Sequence, residues 1–195
     1  MSVSANNRAG ATAFNLPNQL TVARLILSVV LFVLLPLGFY PASFVIFVVA
    51  ASTDWLDGYF ARKYNMVTVL GRILDPFVDK VIVCGTFIYL AAVPESGVQP
   101  WMAVVIVGRE LLITALRSFL EQQGADFSAA MSGKLKMLFQ CIAAGVSLFY
   151  LSWTPGTAPD WSRPLLLVTV WAAVALTIYS GIAYVRTATQ LLRGQ

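Results

Sequence analysis

Six long apolar runs, separated by clusters of proline, glycine and polar residues, organise this chain. They cover roughly residues 20–38, 42–62, 70–92, 100–121, 134–152 and 164–188. Each is close to the length of about 20 apolar residues that a helix needs to cross the hydrocarbon core of a bilayer. The breaks between them are sharp: Leu37-Gly38 and Pro41, the stretch Pro94 to Pro100, Gly124 to Ser132, and Thr154 to Pro164 with its three prolines. The pattern predicts an all-α integral membrane protein with six transmembrane helices and neither an internal repeat nor a separate soluble domain. Ahead of the first run, Asn15-Leu16-Pro17-Asn18 with Thr21 and Arg24 reads as a short N-terminal interfacial helix. Residues 1–13 are polar, and no apolar core with a cleavage site follows them. They read as a disordered tip rather than a secretory signal, leaving 14–195 as one membrane domain.

Composition agrees. Of 195 residues, 58% are hydrophobic and 11% charged, against roughly a quarter charged in soluble domains. The net charge of +4 could suggest nucleic acid, but the cations sit between apolar runs rather than in a surface stripe, so no nucleic-acid partner is expected. If six spans alternate, Arg8, Arg24, Arg62, Lys63, Arg72, Arg109, Arg117, Lys134 and Lys136 fall on or near one side, while the opposite loops hold only Glu95, Asp160 and Arg163. The positive-inside rule then places both termini and the connection after the second run in the cytoplasm, with Arg186 and Arg193. The chain has no histidine, which excludes His-ligated zinc, haem and His-dependent triads. Cys84 and Cys141 lie in apolar runs and read as small hydrophobes.

The second and third runs break the apolar rule. Asp54 and Asp57 stand at i and i+3, Asp75 and Asp79 at i and i+4, so each pair shares a helical face. The short segment between the runs can fold the two helices back on each other, converging four carboxylates near the cytoplasmic interface. One Asp at mid-membrane costs about 2.5–3.5 kcal/mol, so four cost on the order of 10 kcal/mol. Like charges about 4 Å apart add up to about 4 kcal/mol per pair at an effective dielectric of about 20. Divalent cations offset both terms. A carboxylate-only donor set suits hard, oxygen-preferring Mg²⁺ or Mn²⁺, and two such ions can grip a pyrophosphate. Gly58 and Ala61 leave room beside the acids for a nucleotide, Gly71 permits close approach, and Arg62 can hold a phosphate bidentately. Taken one at a time, the small residues serve helix packing equally well, and Arg62 serves topology.

The stretch from Asp54 to Asp79 matches D-x2-D-G-x2-A-R-x8-G-x3-D-x3-D at every specified position, eight fixed residues over 26. In this it resembles the CDP-alcohol phosphotransferase family. The resemblance implies a six-helix membrane fold, usually a homodimer, with an active site open to the cytoplasmic face of the inner membrane. It further implies that Asp54, Asp57 and Asp75 ligate metal, with Asp79 as second-metal ligand and general base. Gly58, Ala61 and Arg62 are implied to contact the CDP moiety, with Thr68 and the Asn15 to Thr21 segment, which contains Asn18.

Outside the motif, Asn15 to Thr21 with Arg24, Arg109-Glu110, Ile113 to Arg117, and Gly133 to Lys136 with Gln140 are similar to the members of that family that use glycerol 3-phosphate as acceptor. This implies transfer of a phosphatidyl group from CDP-diacylglycerol to glycerol 3-phosphate, with release of CMP. Arg109, Arg117, Lys134 and Lys136 are the candidate ligands of an anionic acceptor, on the same membrane side as the acids. Arg109 and Glu110 lie deeper than a topology charge requires. Arg109 and Arg117, eight residues apart, are offset by only about 80° around a helix. For Lys134 and Lys136, ordinary positive-inside charge is the competing reading. The same motif also serves other acceptors (phosphatidylglycerol, serine or inositol phosphate), and intramembrane carboxylates alone could line a cation transport path.

Overall fold

The computed structural model describes residues 16–64, 69–122, 131–153 and 156–193, with side chains described for 19–53, 77–120, 122, 135–153 and 156–191. Six helices follow in order: α1 (Leu16–Leu34), α2 (Tyr40–Tyr64), α3 (Val69–Ala91), α4 (Pro100–Gln122), α5 (Met131–Leu151) and α6 (Ser162–Arg193). A 3-10 turn at Pro94–Ser96 precedes α4. Among the described residues every regular element is helical.

Proline sets several helix ends. Pro17, Pro41, Pro100 and Pro164 all lie in the first turn of a helix, where the missing N–H has no intrahelical partner to lose. Pro36 does the opposite and stops α1 at Leu34, short of residue 38, because it cannot continue the hydrogen-bond ladder and crowds its predecessor. The chain then turns through Gly38 at φ 75°, a left-handed conformation that a side chain would penalise. The segment expected to form an interfacial helix of its own is instead the opening of α1, which runs unbroken from Leu16 because Pro17 is tolerated there and no breaker follows before Pro36. The expected N-terminal tip at 1–13 lies outside the described residues. At the other end α6 runs 32 residues, about 48 Å, and so continues past its apolar stretch to Arg193.

Side-chain contacts give the helix directions. Arg24 meets Asp79 and Phe32 stacks on Tyr89, so α1 and α3 run parallel. Their close approach depends on Gly85, where a Cβ would lie 2.2 Å from the Phe32 ring. Arg109 reaches Ser180 and Trp101 meets Trp171, so α4 and α6 are also parallel. Gln140 donates to Thr177 while Phe149 stacks on Trp161, making α5 and α6 antiparallel. The bundle thus has two distinct ends. One gathers Arg24, Asp79, Lys80, Glu110 and Lys136. The other carries Phe44, Phe149, Trp153 and Trp161 in an aromatic group. Between them lies the main core, with Leu31, Phe47, Phe87, Met102, Ile106 and Leu148.

The distribution of polarity is inside out. Arg24, Glu110, Lys136, Gln140, Ser147 and Thr177 are buried, whereas Ile26, Val29, Val104, Leu111, Val168 and Ile178 are exposed. An apolar exterior this continuous belongs to a protein surrounded by lipid. Among the described residues, Ser162–Leu191 is the stretch long and apolar enough by itself to cross a membrane; Gln19–Leu34, Tyr40–Thr53 and Leu135–Leu151 are shorter apolar helices.

Candidate active site

The four aspartates fall on the two helices that flank residues 65–68. Asp54 and Asp57 lie in the second half of α2, and Asp75 and Asp79 in the first half of α3. Asp57 is seven residues from the end of α2 at Tyr64 and Asp75 six from the start of α3 at Val69, rises of about 10 and 9 Å. The side chains of Asp54, Asp57 and Asp75 lie outside the described residues, as do those of Asn18, Arg62 and Lys134. Gly58 and Ala61 fall on α2 and Gly71 on α3, again with surroundings outside the description. Thr68 is outside it altogether. Thr21 is buried in the first turns of α1.

Asp79 is the acid whose surroundings are described, and it stands at a junction. Its carboxylate accepts a hydrogen bond from Nη1 of Arg24, a side chain only 2% exposed, while that of Asp79 is 21% exposed. On one side it borders a small cavity of about 30 Å³ with Arg24, Ala50, Ala51 and Met137. Ala50 and Ala51 lie one turn before Asp54 on α2. On the other side Asp79 borders a larger cavity of about 170 Å³, whose polar lining is Lys80, Glu110, Arg117, Lys136 and Gln140. Three cations therefore face Asp79 across a space larger than the about 150 Å³ cavity known to admit benzene.

The cationic wall is held from several helices. Lys80 on α3 donates to Thr114 Oγ1 on α4 at 2.6 Å, and the Thr114 hydroxyl donates to the Glu110 carbonyl at 2.6 Å. Lys136 on α5 donates to Glu110 Oε1. Arg117 lines the cavity from α4, and its buried Nε has no hydrogen-bond partner among the described residues. Gln140 is fixed by donating to Thr177 on α6 at 2.9 Å.

Of the four cations anticipated for an anionic ligand, Arg117 and Lys136 are thus brought together with Asp79. Arg109 is turned away. It donates to Glu110 Oε1 at 3.1 Å and to Ser180 at 2.8 Å, and its guanidinium lies 5.3 Å from the centre of the Tyr184 ring. Three residues at this end, Arg24, Lys80 and Glu110, were given no site role from the sequence, although Arg24 and Glu110 stood in the stretches that carry the resemblance. The available signal was that each is ionisable within an apolar helix, a costly placement that by itself marks a site.

A carboxylate-only donor set, with no histidine in the chain, fits a hard divalent cation. The partly exposed carboxylate of Asp79, which borders both cavities, fits it as well.

A family model described as CDP-alcohol phosphatidyltransferase matches residues 14–179. A CDP-diacylglycerol–glycerol-3-phosphate 3-phosphatidyltransferase of Bacillus subtilis (strain 168) is 36% identical over 187 residues, covering 88% of this chain and 93% of that protein. The protein of the same name from Escherichia coli (strain K12) is 37% identical over 184 residues, covering 90% and 95%. Among solved structures, a Mycobacterium tuberculosis phosphatidylinositol phosphate synthase with CDP-DAG bound superposes with a TM-score of 0.59 at 20% identity, covering 88% of this chain and 85% of that one. The last likeness shows a shared fold.

Proposed function

Because this chain belongs to the CDP-alcohol phosphatidyltransferase family, we propose that it transfers the phosphatidyl group of CDP-diacylglycerol to glycerol 3-phosphate, giving phosphatidylglycerophosphate and CMP. The observation that carries this reading is the position of Asp79 between a small cavity that α2 lines with Ala50 and Ala51 and a cavity walled by Lys80, Arg117 and Lys136. The acids of α2 and α3 suit a metal-bound pyrophosphate, and the larger cavity suits a small phosphorylated alcohol.

In this reading the phosphate of glycerol 3-phosphate pairs with Arg117 and Lys136, and with Lys134 from the start of α5. That leaves the C1 hydroxyl near Asp79, which takes its proton as the oxygen attacks the phosphatidyl phosphorus. The new P–O bond replaces the one to CMP, which leaves with the electron pair. Asp54, Asp57, Asp75 and Asp79 would hold one or two Mg²⁺ or Mn²⁺ ions, which supply charge neutralisation of the pyrophosphate. Asn18, Thr21, Gly58, Ala61, Arg62, Thr68 and Gly71 form the CDP-lipid side. Positioning and charge stabilisation account for most of the rate, as in phosphoryl transfer generally. Arg109 holds Glu110 against α6 rather than meeting the acceptor.

The same reading makes 14–195 a single domain with six spans, acting as a homodimer in the inner membrane. The cationic end of the bundle, with both termini and the active site, faces the cytoplasm. The aromatic group at the opposite end, with Trp153 and Trp161, suits the other membrane interface.

The test is CMP release by the purified protein from CDP-diacylglycerol, with glycerol 3-phosphate, serine, inositol phosphate and phosphatidylglycerol offered separately. Release with glycerol 3-phosphate alone supports the assignment. Release only with another member of the panel reassigns the acceptor, and release with none removes the transferase reading.

A further inference from the structure

Glu110 lines the cavity, and its two side-chain partners use only one of its carboxylate oxygens. Both of its side-chain hydrogen bonds, from Arg109 and from Lys136, end on Oε1. Among the described residues Oε2 makes none, and the residue, 8% exposed, lines the cavity with Arg117 and Lys136. A carboxylate oxygen has about two acceptor sites, so Oε1 serves both cations and the second oxygen keeps its full capacity. Here one oxygen anchors the cations and the other is left for a donor that the cavity receives.

The rest of the polar lining narrows what that donor is. Lys80, Arg117 and Lys136 are donors only, and so suit the phosphate of an acceptor but none of its hydroxyl hydrogens. Asp79 is paired with Arg24 and is the base for the attacking hydroxyl in the reading above. Gln140 donates its amide nitrogen to Thr177 and offers the cavity only a neutral carbonyl oxygen. A second hydroxyl on the acceptor therefore meets Glu110 Oε2 as its charged acceptor group. Resting on the proposed function, the geometry points to Glu110 as a specificity-determining residue that accepts a hydrogen bond from the C2 hydroxyl of glycerol 3-phosphate. It selects a phosphorylated vicinal diol over a simple phosphorylated alcohol.

The experiment compares kcat/KM for glycerol 3-phosphate with that for 3-hydroxypropyl phosphate, which lacks only the C2 hydroxyl. For the unaltered protein the ratio should be about 10- to 100-fold, the range expected when a hydrogen bond to a charged group is lost. In Glu110→Gln the amide oxygen can keep Arg109 and Lys136, but the group facing the cavity becomes a donor. The ratio should then fall to about threefold or less. If Glu110→Gln does not fold, Glu110→Asp keeps the charge while withdrawing the carboxylate by one methylene, and the same collapse is expected. A ratio near one in the unaltered protein, or one unchanged in the variant that folds, overturns the role of Glu110 while leaving the transferase assignment intact. Failure of the unaltered protein to release CMP with either acceptor overturns the functional reading itself.

Discussion

Arg24 on α1 and Asp79 on α3, 55 residues apart, form an ion pair inside the bundle. Removing one partner of a buried pair leaves an uncompensated charge and costs about 3–5 kcal/mol. Because Asp79 is partly exposed to the cavities, the lower end of that range applies here. Arg24→Ala should therefore lower stability by about 3 kcal/mol and also depress CMP release, by freeing the carboxylate to turn. Thermal unfolding in detergent and the CMP assay, run side by side, check this. A variant matching the parent in both would show the pair to be incidental.

Chelation should abolish turnover, and Mg²⁺ or Mn²⁺ should restore it, because the acid set on α2 and α3 holds no other type of ligand. Asp54→Asn and Asp57→Asn should each cost more than about 100-fold in rate, the most that substituting an outer partner of a metal ligand usually costs. Full activity in excess chelator would sink the metal assignment, and near-parental activity in either variant would sink that acid's role as a ligand.

Arg117→Ala and Lys136→Ala should raise the KM for glycerol 3-phosphate by roughly 10-fold or more, with the KM for CDP-diacylglycerol nearly unchanged. Both line the cavity beside Asp79. Arg109→Ala should behave differently and appear mainly as lost thermal stability, since its contacts are Glu110, Ser180 and Tyr184. Equal KM effects on both substrates for Arg117→Ala would assign that cation to the fold rather than to the acceptor.

The apolar runs made six helices legible, because helix length and proline punctuation are local properties. Even the misjudged ends have local causes: Pro36 ends α1 early, and Pro17 is tolerated in its first turn. The helical setting of the four acids was legible too, since both pairs fall on α2 and α3 as the apolar runs require. What periodicity cannot supply is the neighbour that a face meets. Arg109 and Arg117 share a face within about 80°, yet that spread is enough to direct one towards α6 and the other into the cavity beside α3 and α5. The same limit hid the Arg24–Asp79 pair and the double use of Glu110, both of which join residues far apart in the chain.

Asp79 carries the most exposed prediction. In the proposed reaction it is both a metal ligand and the base for the attacking hydroxyl, and a base must come within about 3 Å of that oxygen while ionised near neutral pH. Its carboxylate borders the cationic cavity on one face and the α2 side on the other, a placement that allows both duties. An Asn there keeps the shape and one oxygen able to accept from Arg24, but cannot take a proton. Asp79→Asn should thus still bind CDP-diacylglycerol and at least one metal ion, while transferring almost nothing to glycerol 3-phosphate. Binding is read from protection against heat by the lipid substrate, and transfer from CMP release. Loss of binding and turnover together would make Asp79 a structural ligand and leave the base to another group. Retained turnover would mean that the attacking hydroxyl needs no protein base.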